Sequence, residues 1–314
     1  MAQTILEKVP VLSMTALDKA DFAQAIGQSF RDFGFAMVKD HGMNPDLVAQ
    51  GWAMAHQFFA LPEAVKRAYL LTEGAGQRGY TAFGTEIAKG ASENDLKEFW
   101  HVGRDLPEGS PLAASMPANV WPAEMPQFEP VLKRLFAEFD RVGGLLLSAI
   151  AVFLDLPADW FADKVEYGNS ILRLLHYPPV SADAPGVRAG AHEDINLITL
   201  LLGAEEGGLE LLSRDGQWLP VNPPEGALVV NVGDMLQRLT NHYLPSTSHR
   251  VVNPEPERRG TPRYSMPFFL HLSPDIIIDA LPQTVTAENP KRYPPISAHD
   301  YLHERLVEIG LVKK

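Results

Sequence analysis

Apolar residues recur at helical spacing in the first half of the chain and give way to short alternating or continuous runs in the second. The segment Asp18 to Asp32 places Phe22, Ile26, Phe30 and Phe33 on one face, which predicts a helix. A short strand is expected before it at "VPVLSM", and a second one after it at "GFAMVKDHG", closed by Gly42. "NPDLVAQGWAMAHQFFALPEAVKRAYL" carries a long helical pattern broken at Pro62. Residues 74–125 are rich in Gly, Pro and Ser and are expected to run over the surface. Glu129 to Leu156 predicts a second long helix.

From Ile171 to Leu272 the pattern changes to β runs separated by turn residues. These are "ILRLLHY", "HEDINLITLLL", "LELLS" and "QWLPV" about the turn "RDG", "GALVVNVG", "SHRVVN" and "RYSMPFFLHL". Many short strands with Gly and Pro turns argue for a sandwich or jelly roll, so the fold class is α+β. An amphipathic helix, "SAHDYLHERLVEIG", follows and is expected to close at Gly310. Residues 1–125 form a mainly helical region. Residues 126–314 hold the long support helix, the β core and the last helix, the whole making one compact unit.

Composition narrows the chemistry. The 314 residues are 46% hydrophobic and 21% charged, as in ordinary globular proteins, and suffice for a sizeable core. A net charge of -12 argues against non-specific binding to nucleic acid or an acidic membrane, and neither is expected as a partner. With no cysteine, disulfides, thiolate metal sites and cysteine nucleophiles are excluded, and a cytoplasmic location is expected. "MAQTILEKVPVL" lacks the features of a secretory signal. The longest apolar stretch, Leu145 to Leu156, falls far short of the ~20 residues that span a bilayer. Oligomeric state is not legible.

"GAHEDINLITLLL" sets three ionisable groups against the most apolar run of the chain. Read as one strand, it points His192 and Asp194 to the same face and Glu193 to the other. One imidazole and one carboxylate are two-thirds of the facial triad of a non-haem Fe(II) site. The third ligand must come from His242, His249, His271, His299 or His303. His242 sits in a polar, Pro-bearing loop, and His299 and His303 belong to the last helix. Arg263 and Ser265 share a strand face and make a receptor for a carboxylate. His271 has their parity but lies eight residues on, roughly 26 Å in a straight strand. A small ligand cannot touch both, so His249, at the start of "HRVVN", is the better candidate. Asn231 and Asp234 read as hydrogen-bonding residues at a strand end.

With these motifs in this order, the sequence resembles the isopenicillin N synthase-like branch of the Fe(II)/2-oxoglutarate-dependent oxygenases. "FGFAMVKDHG" and "FFALPEAVKRAY" look like the N-terminal region of that family. "HYPP", "GAHEDINLITLLL", "GGLELLSRDGQWLPV", "GALVVNVGDMLQRLTN", "SHRVVNP" and "RYSMPFFL" look like successive pieces of its core. The resemblance implies a double-stranded β-helix (jelly-roll) core with helices packed outside. It implies Fe(II) held by His192, Asp194 and His249. The co-substrates would be 2-oxoglutarate and O2, with the far carboxylate of the oxo acid on Arg263 and Ser265 beside Tyr177. The sequence departs from many plant members in carrying Leu175, not asparagine, two residues before Tyr177. The implied activity couples decarboxylation of 2-oxoglutarate, to succinate and CO2, to hydroxylation or a related oxidation of a small molecule. Tyr80, Phe83 and Phe99 fall where the family builds its substrate pocket. Phe268 and Phe269 alternate faces, and Phe269 is taken as the one facing substrate.

Three other readings stand beside this one. An Fe(II) oxidase that does not use 2-oxoglutarate would set Arg263 and Ser265 on the carboxylate of its substrate. A non-catalytic jelly-roll module would keep the metal for binding or sensing. A zinc hydrolase fits least, since zinc favours more histidines or cysteines in a tetrahedral array.

Overall fold

The computed structural model describes residues 8–71, 76–86, 93–181, 186–203 and 207–308. Strand β1 (Val11–Ser13) leads into helix α1 (Lys19–Phe33), whose first turn is capped by the Asp18 carboxylate accepting from Asp21 N–H. The helix stops at Gly34, which takes φ 70° and returns its N–H to Phe30. Strand β2 (Phe35–Lys39) follows, then α2 (Pro45–Phe59), capped by Asn44, and α3 (Glu63–Arg67) beyond the break at Pro62. Helix α4 (Phe128–Phe153) is the long support helix, and α5 (Ala162–Val165) is a single turn after it.

The remaining strands are β3 (Gly79–Thr81), β4 (Glu98–Gly103), β5 (Ile171–Tyr177), β6 (Ala189–His192), β7 (Ile198–Leu202), β8 (Leu209–Leu212), β9 (Trp218–Pro220), β10 (Leu228–Val232), β11 (His249–Val251) and β12 (Arg263–Leu270). Helix α6 (Asp234–Leu239) lies between β10 and β11. A small pair, β13 (Ile277–Ile278) and β14 (Ile296–Ser297), precedes helix α7 (Ala298–Glu308). Gly310, the expected stop of this helix, lies outside the described residues. No helix among the described residues is long and apolar enough to cross a membrane.

The strands form two facing sheets. The larger has the order β1-β2-β10-β7-β12-β5-β4-β3 and the smaller β6-β11-β8-β9. Pairing is antiparallel except between β1 and β2. This is the expected jelly roll. Period-two alternation divides the larger sheet cleanly. Trp100, Leu172, Leu174, Leu200, Val230 and Phe268 point to the helices and join their core. Phe35, Met37, Phe99, Leu175, Tyr177 and Val229 point between the sheets, where they meet Leu209, Leu211 and Val251 of the smaller one. Helix α4 closes the outer side. Phe268 is fully buried between Phe136 and Phe139, with ring centroids at 5.0 and 5.4 Å. Losing such a ring from a core costs ~3–5 kcal/mol. Gly143 lets α4 lie close to β12, since a Cβ there would stand 2.3 Å from Leu270 Cδ1.

Two expectations are corrected. Residues 74–125 do not simply run over the surface, because β3 and β4 complete the larger sheet and β4 is buried along its whole length. Nor is "HEDINLITLLL" a single strand. His192 ends β6 in the smaller sheet and Ile198 opens β7 in the larger one. The chain crosses between sheets at residues 193–197. Long-range hydrogen bonds fix the crossing: Leu197 N–H donates to Leu270 O, and Asp194 and Asn196 carbonyls accept from Asp234 and Met235 N–H.

Candidate active site

The crossing segment carries the chemistry. His192 closes β6 and pairs directly across from His249 at the start of β11. Asp194 projects from the turn beyond. One ligand atom from each of the three lies within 4.8 Å of the others, and each imidazole Nε2 is 3.8 Å from Asp194 Oδ1. The convergence is as expected, but its cause is not strand parity. It comes from a turn that brings a carboxylate rooted in one sheet to two imidazoles of the other.

Hydrogen bonds set the valence of each group. His192 Nδ1 donates to Gly190 O at 2.8 Å, and His249 Nδ1 to Thr247 O at 3.1 Å. A carbonyl can only accept, so the proton sits on Nδ1 and the Nε2 lone pair faces inward. Asp194 Oδ2 accepts from Thr199 Oγ1 at 2.5 Å and from Asn231 Nδ2 at 2.8 Å, leaving Oδ1 for the centre. Asn196 donates to Thr199 Oγ1 at 2.8 Å and so orients that hydroxyl. Burial, reinforced by His249, lowers the His192 pKa to about 4, which keeps its ring neutral. Burial opposes ionisation of Asp194, but His249, His192, Asn231 and Thr199 outweigh it and hold the carboxyl below its ordinary range. Two imidazoles and one carboxylate, each able to turn one lone pair to the same point, fit a divalent cation such as Fe(II). Glu193 turns aside and accepts from Ser248 Oγ at 3.3 Å.

Deeper between the sheets, Arg263 and Ser265 are buried on the inward face of β12, with Arg263 Nη1 donating to Ser265 Oγ at 3.2 Å. Tyr177 pairs opposite Arg263, and the guanidinium lies 5.0 Å from its ring centroid. Lys97 precedes β4 on the same inward side. It bonds Glu86 at 2.9 Å and Asp95 at 2.8 Å, while Asp95 Oδ1 accepts from Gly190 N–H at 2.9 Å. Burial works against the Lys97 charge, but Glu86 and Asp95 more than restore it. The apolar cluster between the sheets includes Leu175, Val229, Leu209 and Val251.

The four residues singled out for a substrate pocket divide evenly. Phe99 and Phe269 face inward and flank Arg173, whose guanidinium is 4.1 Å from one ring centroid and 5.2 Å from the other. Tyr80 is not brought there. It points to the helices, packs on Phe58 and donates to Glu98. Phe83 is 48% exposed in a turn. Sequence reading missed Arg173, which donates to His101 Nε2 at 2.6 Å and reaches Glu86 at 3.4 Å. Its signal was present as a lone cation within the apolar strand "ILRLLHY". His242 is a loop residue bonded to Tyr293 at 2.8 Å, and His271 lies at the far end of β12, so neither joins the cluster.

Comparison with known proteins agrees with this architecture. Residues 9–124 match the family described as non-haem dioxygenase in morphine synthesis N-terminal, and residues 168–272 match the 2OG-Fe(II) oxygenase superfamily. A 2-oxoglutarate-Fe(II) type oxidoreductase of Aspergillus fumigatus is 33% identical over 91% of this chain and 87% of its own. The crystal structure of a 2OG-Fe(II) oxygenase family protein from Caulobacter crescentus superposes with a TM-score of 0.90 at 55% identity, over 97% of this chain and 100% of that one. A full-length Neurospora crassa protein, crystallised in complex with alpha-KG and thymine, gives 0.85 at 32% identity over 95% and 96%. The chain belongs to the 2OG-Fe(II) oxygenase superfamily. It is a non-haem Fe(II)- and 2-oxoglutarate-dependent oxygenase of the isopenicillin N synthase-like type, which uses O2.

Proposed function

We propose that His192 Nε2, Asp194 Oδ1 and His249 Nε2 hold the Fe(II), and that Arg263 and Ser265, with Tyr177 beside them, hold the far carboxylate of 2-oxoglutarate. The observation that carries this reading is the valence of the cluster: every atom facing away from the centre is hydrogen-bonded, and one lone pair per residue is left facing in. Bound iron and oxo acid supply the oxidising power, decarboxylation to succinate and CO2 driving oxidation of the substrate. The protein residues do the rest. Thr199 and Asn231 fix the carboxylate so that a single oxygen coordinates. Arg263, buried and always charged, selects a dicarboxylate long enough to reach it. Leu175, Val229 and Val251 exclude water between the sheets. Phe99, Phe269 and Arg173 form the wall on the substrate side. A net charge of -12 supports a small molecule over a polyanion as substrate.

Replacing Arg263 by Met tests the assignment. Loss of a charge-assisted bond of ~1.5–3 kcal/mol should raise the KM for 2-oxoglutarate about 10- to 100-fold, read as succinate formed, with Fe(II) affinity retained. An unchanged KM for 2-oxoglutarate would place Arg263 on some other carboxylate. Asp194→Ala should abolish ferrous binding in a metal titration.

A further inference from the structure

A second space opens on the mouth of the barrel, beneath α7. The cavity is of about 90 Å³, and its described lining contains no carboxylate, ammonium or guanidinium group; its ionisable members are the imidazoles of His271, His299 and His303. Leu302 and Leu306 of α7 form its roof, Met235 one wall, and Asn169 and His271 the polar floor. Two of its lining residues are linked to the His–Asp–His cluster through their neighbours. Met235 N–H donates to Asn196 O in the crossing segment. His271 follows Phe269 by two residues, and Phe269 pairs with Thr199, the hydroxyl that holds Asp194. The register Phe269↔Ile171, carried two residues further, sets His271 opposite Asn169 in the same inward-facing column.

Both floor residues have unused hydrogen-bonding capacity. Asn169 is 6% exposed. Its Nδ2 donates to Gln77 Oε1 at 3.1 Å, but its Oδ1 is buried with no partner. His271 is also 6% exposed, and among the described residues neither ring nitrogen makes a hydrogen bond. Burial lowers the pKa of this ring to about 4, so at neutral pH it offers one donor and one acceptor. A fully buried amide oxygen without a partner, such as Asn169 Oδ1, is uncommon in a folded protein.

We propose that this cavity receives an uncharged, amide-bearing part of the substrate (an amide, lactam or imide), with the Asn169 carboxamide and the His271 ring as its hydrogen-bond partners. The inference rests on the oxygenase reading for the word substrate. The binding itself does not depend on metal, so the two can fail separately.

The test is a ligand-observed NMR titration of the metal-free protein with 2-piperidone, against piperidinium as a charged six-membered ring. Only the lactam should bind. His271→Phe and Asn169→Leu, each removing neutral hydrogen bonds, should weaken it about 3- to 10-fold. His271→Gln, which restores a donor and an acceptor, should recover most of the loss. Thermal melting and binding of Mn(II) verify that each variant is folded. Equal binding by the charged ring, parent-like binding by both variants when folded, or no lactam binding at 10-fold molar excess and above would each overturn the proposal.

Discussion

At the scale of single residues, the candidate site depends on side chains that touch no ligand. Asp194 offers one oxygen to the centre because Thr199 and Asn231 occupy the other. Asn231→Ala or Thr199→Val should therefore lower divalent-metal affinity about 10- to 100-fold while leaving the fold intact, as measured by Mn(II) or Fe(II) titration beside a melting curve. An effect equal to that of Asp194→Ala would mean that the support does more than orient. The three residues of the cluster were legible in the sequence as candidates. Imidazole, carboxylate and guanidinium beside apolar runs are costly unless used, and residue type betrays them. Thr199 was not legible. A threonine suits any strand, and its role exists only once β7 pairs with β10 and sets Thr199 opposite Asn231. Asn231 was correctly read as a hydrogen-bonding residue, without its partner.

At the scale of elements, α7 is fastened to the site by its second half. Arg305 Nε lies 3.1 Å from Asp234 Oδ2, and the backbone N–H of Asp234 donates to the carbonyl of Asp194. Burial raises the Asp234 pKa to about 7, with Arg305 and Tyr301 acting against the shift. Arg305→Met would leave that carboxyl without its cation. The loss should be at most about 3 kcal/mol, because Arg305 is one-quarter open to solvent. It should be seen as faster amide exchange confined to α7 and α6; uniform acceleration over the whole chain would count against a local fastening. Elements also show where the sequence pattern fails. The strand "EFWHVG" is buried on both faces, so it has no alternation to reveal it among turn residues. The crossing at residues 193–197 is set by hydrogen bonds to α6 and β12, remote in sequence, and no local signal separates β6 from β7.

At the scale of the whole molecule, pH dependence follows from histidines buried in neutral form. His101 is held well below 6.5 by burial and by Arg173, and His271 at about 4 by burial. The unfolded chain protonates these rings near 6.5 while the folded chain resists. Between about 4 and 6.5 the unfolded state thus binds more protons, and stability falls as pH falls through that window. For the 6%-exposed His271 the contribution approaches roughly 3 kcal/mol at the acid end. Asp234, raised to about 7, takes up a proton in the folded chain over the same window and opposes the histidines. His271→Phe should therefore make melting of the metal-free protein less sensitive to acid than that of the parent chain between pH 7 and pH 5; an unchanged profile would show the His271 ring to be protonated when folded. The jelly roll as a whole was readable from strand count and turn spacing, because that signal is repeated many times along the chain. The two-sheet origin of the cluster was not, and it carries a mechanical result. His192 and His249 belong to the smaller sheet, while the carboxylate between them is anchored to the larger one. A cation held by all three is a removable rivet through both halves of the barrel. At a hundredfold excess over its dissociation constant it would add about 2.7 kcal/mol to the folded state. Scarcity of metal would then shorten the life of the polypeptide as well as silence it, since the halves would part first at the end where the oxidation takes place.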